Sequence, residues 1–292
     1  MTQENQSHGL DIVRIPQWQK YEWLRHGFST RANGASSVYG GSTLNLGWTK
    51  EDDPTAVTEN RRRFLHAIQG GAHPFAPVTL RQVHSATVRM VKEEDGATDG
   101  KLQTPEGKAV IEGDGLVTDL TGVLLAVGTA DCVPVLVADV AKRVVAAFHA
   151  GWRGTRARIV ECGIAALRSE YGSRAEDLTA AVGPSIGPCC YGVGEEVRKE
   201  FGEAFDYAED LFSRREGKTF LDLWEANRRQ LQNIGVTDSQ ITILGECTVC
   251  TRDKEGRPRY FSHRGERGVA GRMLNVVGII EPTPQATSTR LS

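Results

Sequence analysis

Apolar positions along this chain fall into two patterns. Short unbroken runs of strand length occupy 122–128, 133–138 and 143–148. Runs of that kind, apolar almost throughout, suit strands buried on both faces of a sheet. Further strands are predicted over 78–83, 86–91, Leu178–Val182, 241–244 and 274–280. The second pattern is helical. Asp53-Pro54 reads as an N-cap followed by proline at the first helical position. After it Val57, Arg61, Phe64, Leu65 and Ile68 recur at helical spacing, with Arg61 the one polar member. Val160, Ile164, Leu167 and Tyr171 make a stripe on a helix predicted from Thr155 to Tyr171, ended by Gly172. Asp222-x-x-Glu225 resembles a capping box, opening a helix that buries Leu223, Asn227, Leu231 and Ile234 and stops at Gly235. Interleaved strands and helices predict an α/β (α+β) fold with a mixed sheet.

Composition narrows the function classes. The 292 residues are 39% apolar and 25% charged, ordinary for a globular chain long enough to bury a sizeable core. A formal net charge of −2 gives no electrostatic case for nucleic acid or an anionic membrane. The triplet Arg61-Arg62-Arg63 falls on the first predicted helix and is read as a solvated face. Asp131 and Pro134 interrupt the most apolar stretch, 122–140, so it is not expected to span a bilayer. The first ten residues carry neither a basic nor an apolar signal region, and six cysteines in that context predict reduced thiols in a cytoplasmic chain. One domain over 11–280 is expected, flanked by polar tails at 1–10 and 281–292 that are read as flexible, and a monomer fits this size.

Candidate chemistry centres on His84, Cys132 and His149. His84 closes the strand predicted over 78–83. Cys132 sits at a strand-to-strand junction, and His149 follows the strand predicted over 143–148, just before Gly151 and Gly154. Three side chains so far apart in sequence meet only if a sheet brings separate strand ends together. Two imidazoles and a thiolate form a zinc set with a fourth position open, the arrangement of a catalytic site. Taken singly, each residue has a plainer reading: a cysteine on an apolar strand is usually a small core hydrophobe, and a histidine at a strand end a hydrogen-bonded surface group. The same Cys132, with His84 or His149 as base, is also the minimum set for nucleophilic acyl transfer. Cys247 and Cys250 form a CxxC with no second CxxC and are read as partly buried thiols. The adjacent Cys189 and Cys190, in a Gly/Pro-rich turn, carry no assigned role.

Longer motifs surround these residues. They are Gln82-Val83-His84, Gly113-Asp114-Gly115-Leu116-Val117-Thr118, Ala130-Asp131-Cys132-Val133-Pro134-Val135, His149-Ala150-Gly151-Trp152-Arg153-Gly154 and Gly183-Pro184-Ser185-Ile186-Gly187-Pro188-Cys189-Cys190-Tyr191. Ser29-Thr30-Arg31, Leu44-Asn45-Leu46-Gly47, Cys247-Thr248-x-Cys250, Phe261-Ser262-His263-Arg264 and Gly271-Arg272 complete the set. Together, over about residues 26–280, they resemble the YfiH-type family, variously named multicopper polyphenol oxidase, laccase-domain protein and purine nucleoside phosphorylase. Small departures are Ser85, where many relatives have glycine, and Gly113 and Gly115, where relatives often carry other small residues.

The resemblance implies a layered α/β/β/α sandwich with mixed sheets, similar to a group of cysteine-hydrolase-like proteins. It implies one zinc per chain on His84, Cys132 and His149, with copper as a possible substitute. It also implies purine nucleoside and phosphate as substrates: phosphorolysis of adenosine, inosine and methylthioadenosine, and deamination of adenosine. A phosphate dianion calls for bidentate arginines, so Arg31, Arg153 and Arg264 are candidates, with Arg264 also grouped among the catalytic residues. Asn45 is a candidate substrate contact, and Asp131 and Asp114 are candidates for the acid that protonates the leaving base. Two other family roles stay open: an amidase-like hydrolase that edits peptidoglycan precursors through Cys132, and a copper-dependent phenol oxidase. With seven histidines in the whole chain, a multicopper electron path is the least expected. A non-catalytic protein with a structural zinc is a further alternative.

Overall fold

A computed structural model describes residues 9–69 and 75–280. The expected tails fall almost wholly outside that range, but Leu10 is buried in one cluster with Leu44 and Phe64. Two sheets stack face to face. The first has five strands in the order Ile12–Val13, Leu24–Ser29, Met273–Ile279, Val123–Thr129 and Ala76–Val78. The second has six: Ile241–Ile243, Leu178–Val182, Val133–Asp139, Val144–Ala150, Gly115–Thr118 and Val88–Met90. Both mix parallel and antiparallel pairs.

The unbroken apolar runs follow from this stacking. In Val123–Thr129, Val123, Leu125 and Val127 face the second sheet, while Leu124 and Ala126 face outward onto the helix Pro54–Gln69 with Phe64 and Ile68. In Val144–Ala150, Val145 and Ala147 point between the sheets, while Val144, Ala146 and Phe148 meet the helix Ile159–Tyr171 through Ile159, Val160, Ile164 and Leu167. With period-two alternation and both faces covered, the positions facing either side are apolar until the strand ends at the cavity. The helix Leu223–Asn233 packs in the same outer layer, through Leu223, Ala226 and Leu231. The layers thus run α/β/β/α, as the resemblance implied.

Several boundaries differ from the expectations. The first helix begins at Pro54 as read. The predicted 155–171 helix is two: Trp152–Arg156, then Ile159–Tyr171, broken where Arg158 takes φ +61°. Its end at Gly172 holds, with φ +64° and an amide bonded to Arg168 O. Asp222 caps its helix by accepting from the Glu225 amide, and Asn227 is buried as expected. The strand predicted over 78–83 ends at Val78, so His84 stands on a loop, with φ +61°. The strand predicted to end at 148 runs to Ala150, so His149 lies within it.

One side-chain reading is overturned. Arg61 is not on a solvated face but buried, donating from Nη1 to Leu46 O at 2.9 Å and standing over the Trp48 ring. The wide turn at 44–48 folds over the helix and covers it. Among the described residues no helix is long and apolar enough to cross a membrane.

Candidate metal centre and cavity

Where the two sheets open at one end, the ends of Val123–Thr129 and Val144–Ala150 and the start of Met273–Ile279 bound a cavity of about 540 Å³. That volume suits a small organic ligand with a second small molecule beside it. His84, Cys132 and His149 all line it, and their ligand atoms lie within 4.8 Å of one another. Cys132 Sγ is 3.9 Å from His84 Nε2, and the His84 and His149 rings meet edge to face at 4.9 Å. Tetrahedral zinc holding a thiolate and an imidazole nitrogen would set those two atoms roughly 3.6 Å apart. The donor set and its spacing therefore fit zinc with small adjustment.

Local sequence explains how three distant residues converge. The Val133↔Ala150 and Pro134↔His149 pairing brings Cys132 beside His149. Gly151 admits the approach, because a Cβ there would lie 2.9 Å from Cys132 Sγ and 3.1 Å from His84 Cδ2. Asp114, buried at the base, fixes both histidines. Its Oδ1 is 2.8 Å from His149 Nδ1 and accepts the His84 amide at 3.0 Å. Its Oδ2 accepts the amide and hydroxyl of Ser85 at 2.6 and 2.8 Å. Holding a ring nitrogen this way fixes the tautomer that leaves the other nitrogen toward a metal.

The electrostatics agree. Burial opposes ionisation of Asp114, yet His149 and the Ser85 donors bring it down to about 2. Burial likewise opposes charge on Cys132 and His149. Their mutual contact nonetheless pulls the thiol below its usual range and raises the imidazole above its own, with Asp114 adding to the latter. Before any metal arrives, the pair already favours a thiolate beside an imidazolium.

Asp131 sits next to Cys132 with φ +93°, an uncommon backbone conformation for a residue with a side chain. Its Oδ1 accepts from Thr248 and Ser262, both at 2.6 Å, and its Oδ2 accepts the Arg264 amide at 2.6 Å. Bonds of this kind over-determine a strained backbone, and they fasten the 262–264 loop over the cavity.

Of the arginines singled out from sequence, Arg264 lines the cavity, donates to Gly192 O at 2.8 Å and stands over the Tyr191 ring. Arg31 and Arg153 are not in the lining. Arg31 pairs with Glu266 at 2.8 Å over Phe261, and Arg153 stands over Trp152. Asn45 is buried outside the lining and bonds Asp52, Gly47 and the Arg272 amide. Asp114 also lies outside the lining, whereas Asp131 is in it.

The lining also holds residues given no role from sequence: Trp48, Arg61, Gln82, Tyr191, His263 and Arg272. Arg61 Nη2 is buried without a hydrogen-bond partner, and burial lowers the guanidinium to about 10, still charged at neutral pH. The signal that could have found it was its place on the apolar stripe of its helix. Burial pushes the Tyr191 hydroxyl up to about 12, so it keeps its proton.

Comparison with known proteins bears on the family and the fold. The family model described as multi-copper polyphenol oxidoreductase laccase matches residues 25–280. The purine nucleoside phosphorylase of Deinococcus radiodurans is 38% identical over 272 residues, 93% of this chain and 94% of that protein. The crystal structure of YlmD from Geobacillus stearothermophilus superposes with a TM-score of 0.79 at 34% identity, covering 96% of this chain and 98% of that one. That of the Bacillus licheniformis hypothetical protein YfiH gives a TM-score of 0.81 at 30% identity, covering 94% and 97%. With the family's motifs spread along the chain and its relatives' fold reproduced, this chain belongs to the laccase-domain, YfiH-type family.

Proposed function

We propose that this chain is a zinc-dependent purine nucleoside enzyme that splits adenosine, inosine or methylthioadenosine with phosphate and also deaminates adenosine. The observation that carries the proposal is the pairing, in one cavity, of an open His84–Cys132–His149 set with a buried arginine, Arg61, whose Nη2 has no hydrogen-bond partner. Several relatives bear the name purine nucleoside phosphorylase, those of Deinococcus radiodurans and Escherichia coli among them. A zinc ion held by the three ligands would supply Lewis acidity. Copper could take the same ligands, because such sites rank divalent metals by affinity order rather than by identity. Among the described residues the imidazoles of only one candidate cluster converge, which does not suit a multicopper electron path.

Phosphorolysis asks three things of the protein. Phosphate oxygen must form a bond to the anomeric carbon as the bond from that carbon to the base nitrogen breaks. Arg61, Arg264 and Arg272 line the cavity and can hold the dianion at that carbon, supplying charge-assisted bonds. The base nitrogen, which takes both bonding electrons, needs a proton. His263 lines the cavity and stands exposed there as a donor, and Tyr191 keeps a hydroxyl proton nearby. The base itself has the faces of Trp48 and Tyr191 to lie against.

A second reading rests on one specific observation. Cys132, His149 and Asp114 stand in the order nucleophile, base and orienting carboxylate, the arrangement of a cysteine acyl-transfer enzyme. An amidase-like hydrolase acting on peptidoglycan precursors would use it metal-free. The two readings compete for the same sulfur.

The deciding experiment measures metal in the purified chain, then incubates that sample with adenosine and phosphate and separates the products. About one zinc at the open site, with adenine or inosine formed, supports the proposal, and the product ratio ranks the two reactions. Zinc bound at the open site, and so lost in Cys132→Ser, with no purine turnover refutes it. Iodoacetamide labelling of Cys132 in an active, metal-free preparation would establish the cysteine nucleophile instead.

A further inference from the structure

Behind the cavity wall lies a second cluster. Cys189, Cys190, Cys247 and Cys250 bring their sulfurs within 4.8 Å of one another. Cys189 Sγ and Cys250 Sγ are 3.6 Å apart, and the Gly187 amide donates to Cys247 Sγ at 3.3 Å. We propose that these four thiolates form a closed, structural zinc site distinct from the open His84–Cys132–His149 set.

Geometry and chemistry both favour it. Four sulfurs around a tetrahedral zinc lie roughly 3.8 Å apart, close to the observed separation. An all-thiolate set selects a soft or borderline cation over magnesium or calcium. Amides donating to a cysteine sulfur stabilise the ionised form that a metal requires. The Cys247-x-x-Cys250 turn supplies half the ligands in the spacing common to zinc sites, closed by the Thr251 amide on Cys247 O. The other half comes from neighbouring residues. Side chains of adjacent residues diverge along an extended strand, but here the chain turns, with the Cys190 and Tyr191 amides both bonded to Gly187 O, and both sulfurs reach one point. No sulfur pair is bonded; all are free thiols.

The site joins two loops that build the cavity. One, after Leu178–Val182, carries Ile186 and Tyr191 into the lining. The other, after Ile241–Ile243, carries Thr248, which holds Asp131. The loops already pair at Ser185 and Cys247. A zinc here would staple them, fixing Tyr191 and the strained Asp131 from outside the reaction centre.

The test uses the full chain expressed with zinc and purified under reducing conditions. Metal is measured in Cys132→Ser, and in the same variant carrying Cys189→Ser and Cys250→Ser. The first should keep about one zinc per chain and the second almost none. This readout compares two variants that share the same open-site substitution, and it does not depend on purine turnover. Cys132→Ser without zinc overturns the proposal, as does zinc retained after the two further substitutions. Should the triple variant fail to fold, cobalt replaces zinc in Cys132→Ser alone. Intense visible bands of a tetrahedral thiolate site are expected, and their absence overturns the proposal equally.

Discussion

Asp114 Oδ1 stands 2.8 Å from His149 Nδ1, and the same buried carboxylate holds the amides of Val83, His84 and Ser85. A single side chain thus aims one histidine by its ring and the other by its backbone. Asp114→Asn keeps the shape but loses the charge, and it places an amide group against donors. Zinc affinity at the open site is expected to fall about 10–100-fold, the usual cost of losing such an orienting partner. Competition against a chelator measures it; unchanged affinity would show that the histidines orient themselves.

Arg61 offers a separate handle on substrate. Removing a charge-assisted hydrogen bond costs about 1.5–3 kcal/mol, so Arg61→Gln should raise the KM for phosphate roughly 10–100-fold. KM for the nucleoside should change little. Thermal stability should hold or improve, since Nη2 is buried without a partner in the free protein. A loss of stability with phosphate KM unchanged would assign Arg61 to supporting Leu46 alone.

Acid stability turns on His26 as well as on carboxylates. Burial, then the charges of Arg14 and Arg25, lower its imidazole from 6.5 to about 3, and its Nε2 accepts the Ile15 amide at 2.8 Å. Above pH 6.5 it is neutral folded or unfolded and contributes no pH dependence. As pH falls from 6.5 toward 3 the unfolded chain takes up a proton that folded His26 refuses, so stability is lost across that window. The loss approaches about 4 kcal/mol at its lower end. In His26→Gln, whose side-chain oxygen can still accept the Ile15 amide, stability measured by denaturant at several pH values should lose that slope. An unchanged slope would remove His26 from the account.

Packing beneath the site is equally exposed to test. A Cβ on Gly163 would lie 2.2 Å from the Phe148 ring, and Phe148 precedes His149. Gly163→Ala should cost about 1–3 kcal/mol by overpacking. It should also weaken metal binding, because the ring can yield only by shifting its strand. Denaturant midpoints and metal content read the two effects separately; loss of neither would mean the helix moves away freely.

How much of this was legible in the chain depends on distance along it. Leu178–Val182 came out as read, and so did the start of the helix at Pro54, the Asp222 cap and the stop at Gly172. Each rests on local signals: apolar runs, a proline at the first turn, a carboxylate three residues before an amide, a glycine free to take positive φ. That His84, Cys132 and His149 are residue types able to hold a metal was legible too, because that chemistry is a property of the residues themselves; that they converge is what the fold adds. Tertiary structure decided the rest. Only the stacking of two sheets explains why strands apolar on both faces need helices outside them. Only the fold of the 44–48 segment shows that Arg61, read with its basic triplet as a solvated face, is buried, and only the turn at 187–191 aims two neighbouring cysteines at a CxxC about sixty residues away. Periodicity records which face is buried, whereas convergence depends on pairing and loop closure between segments that no local pattern links.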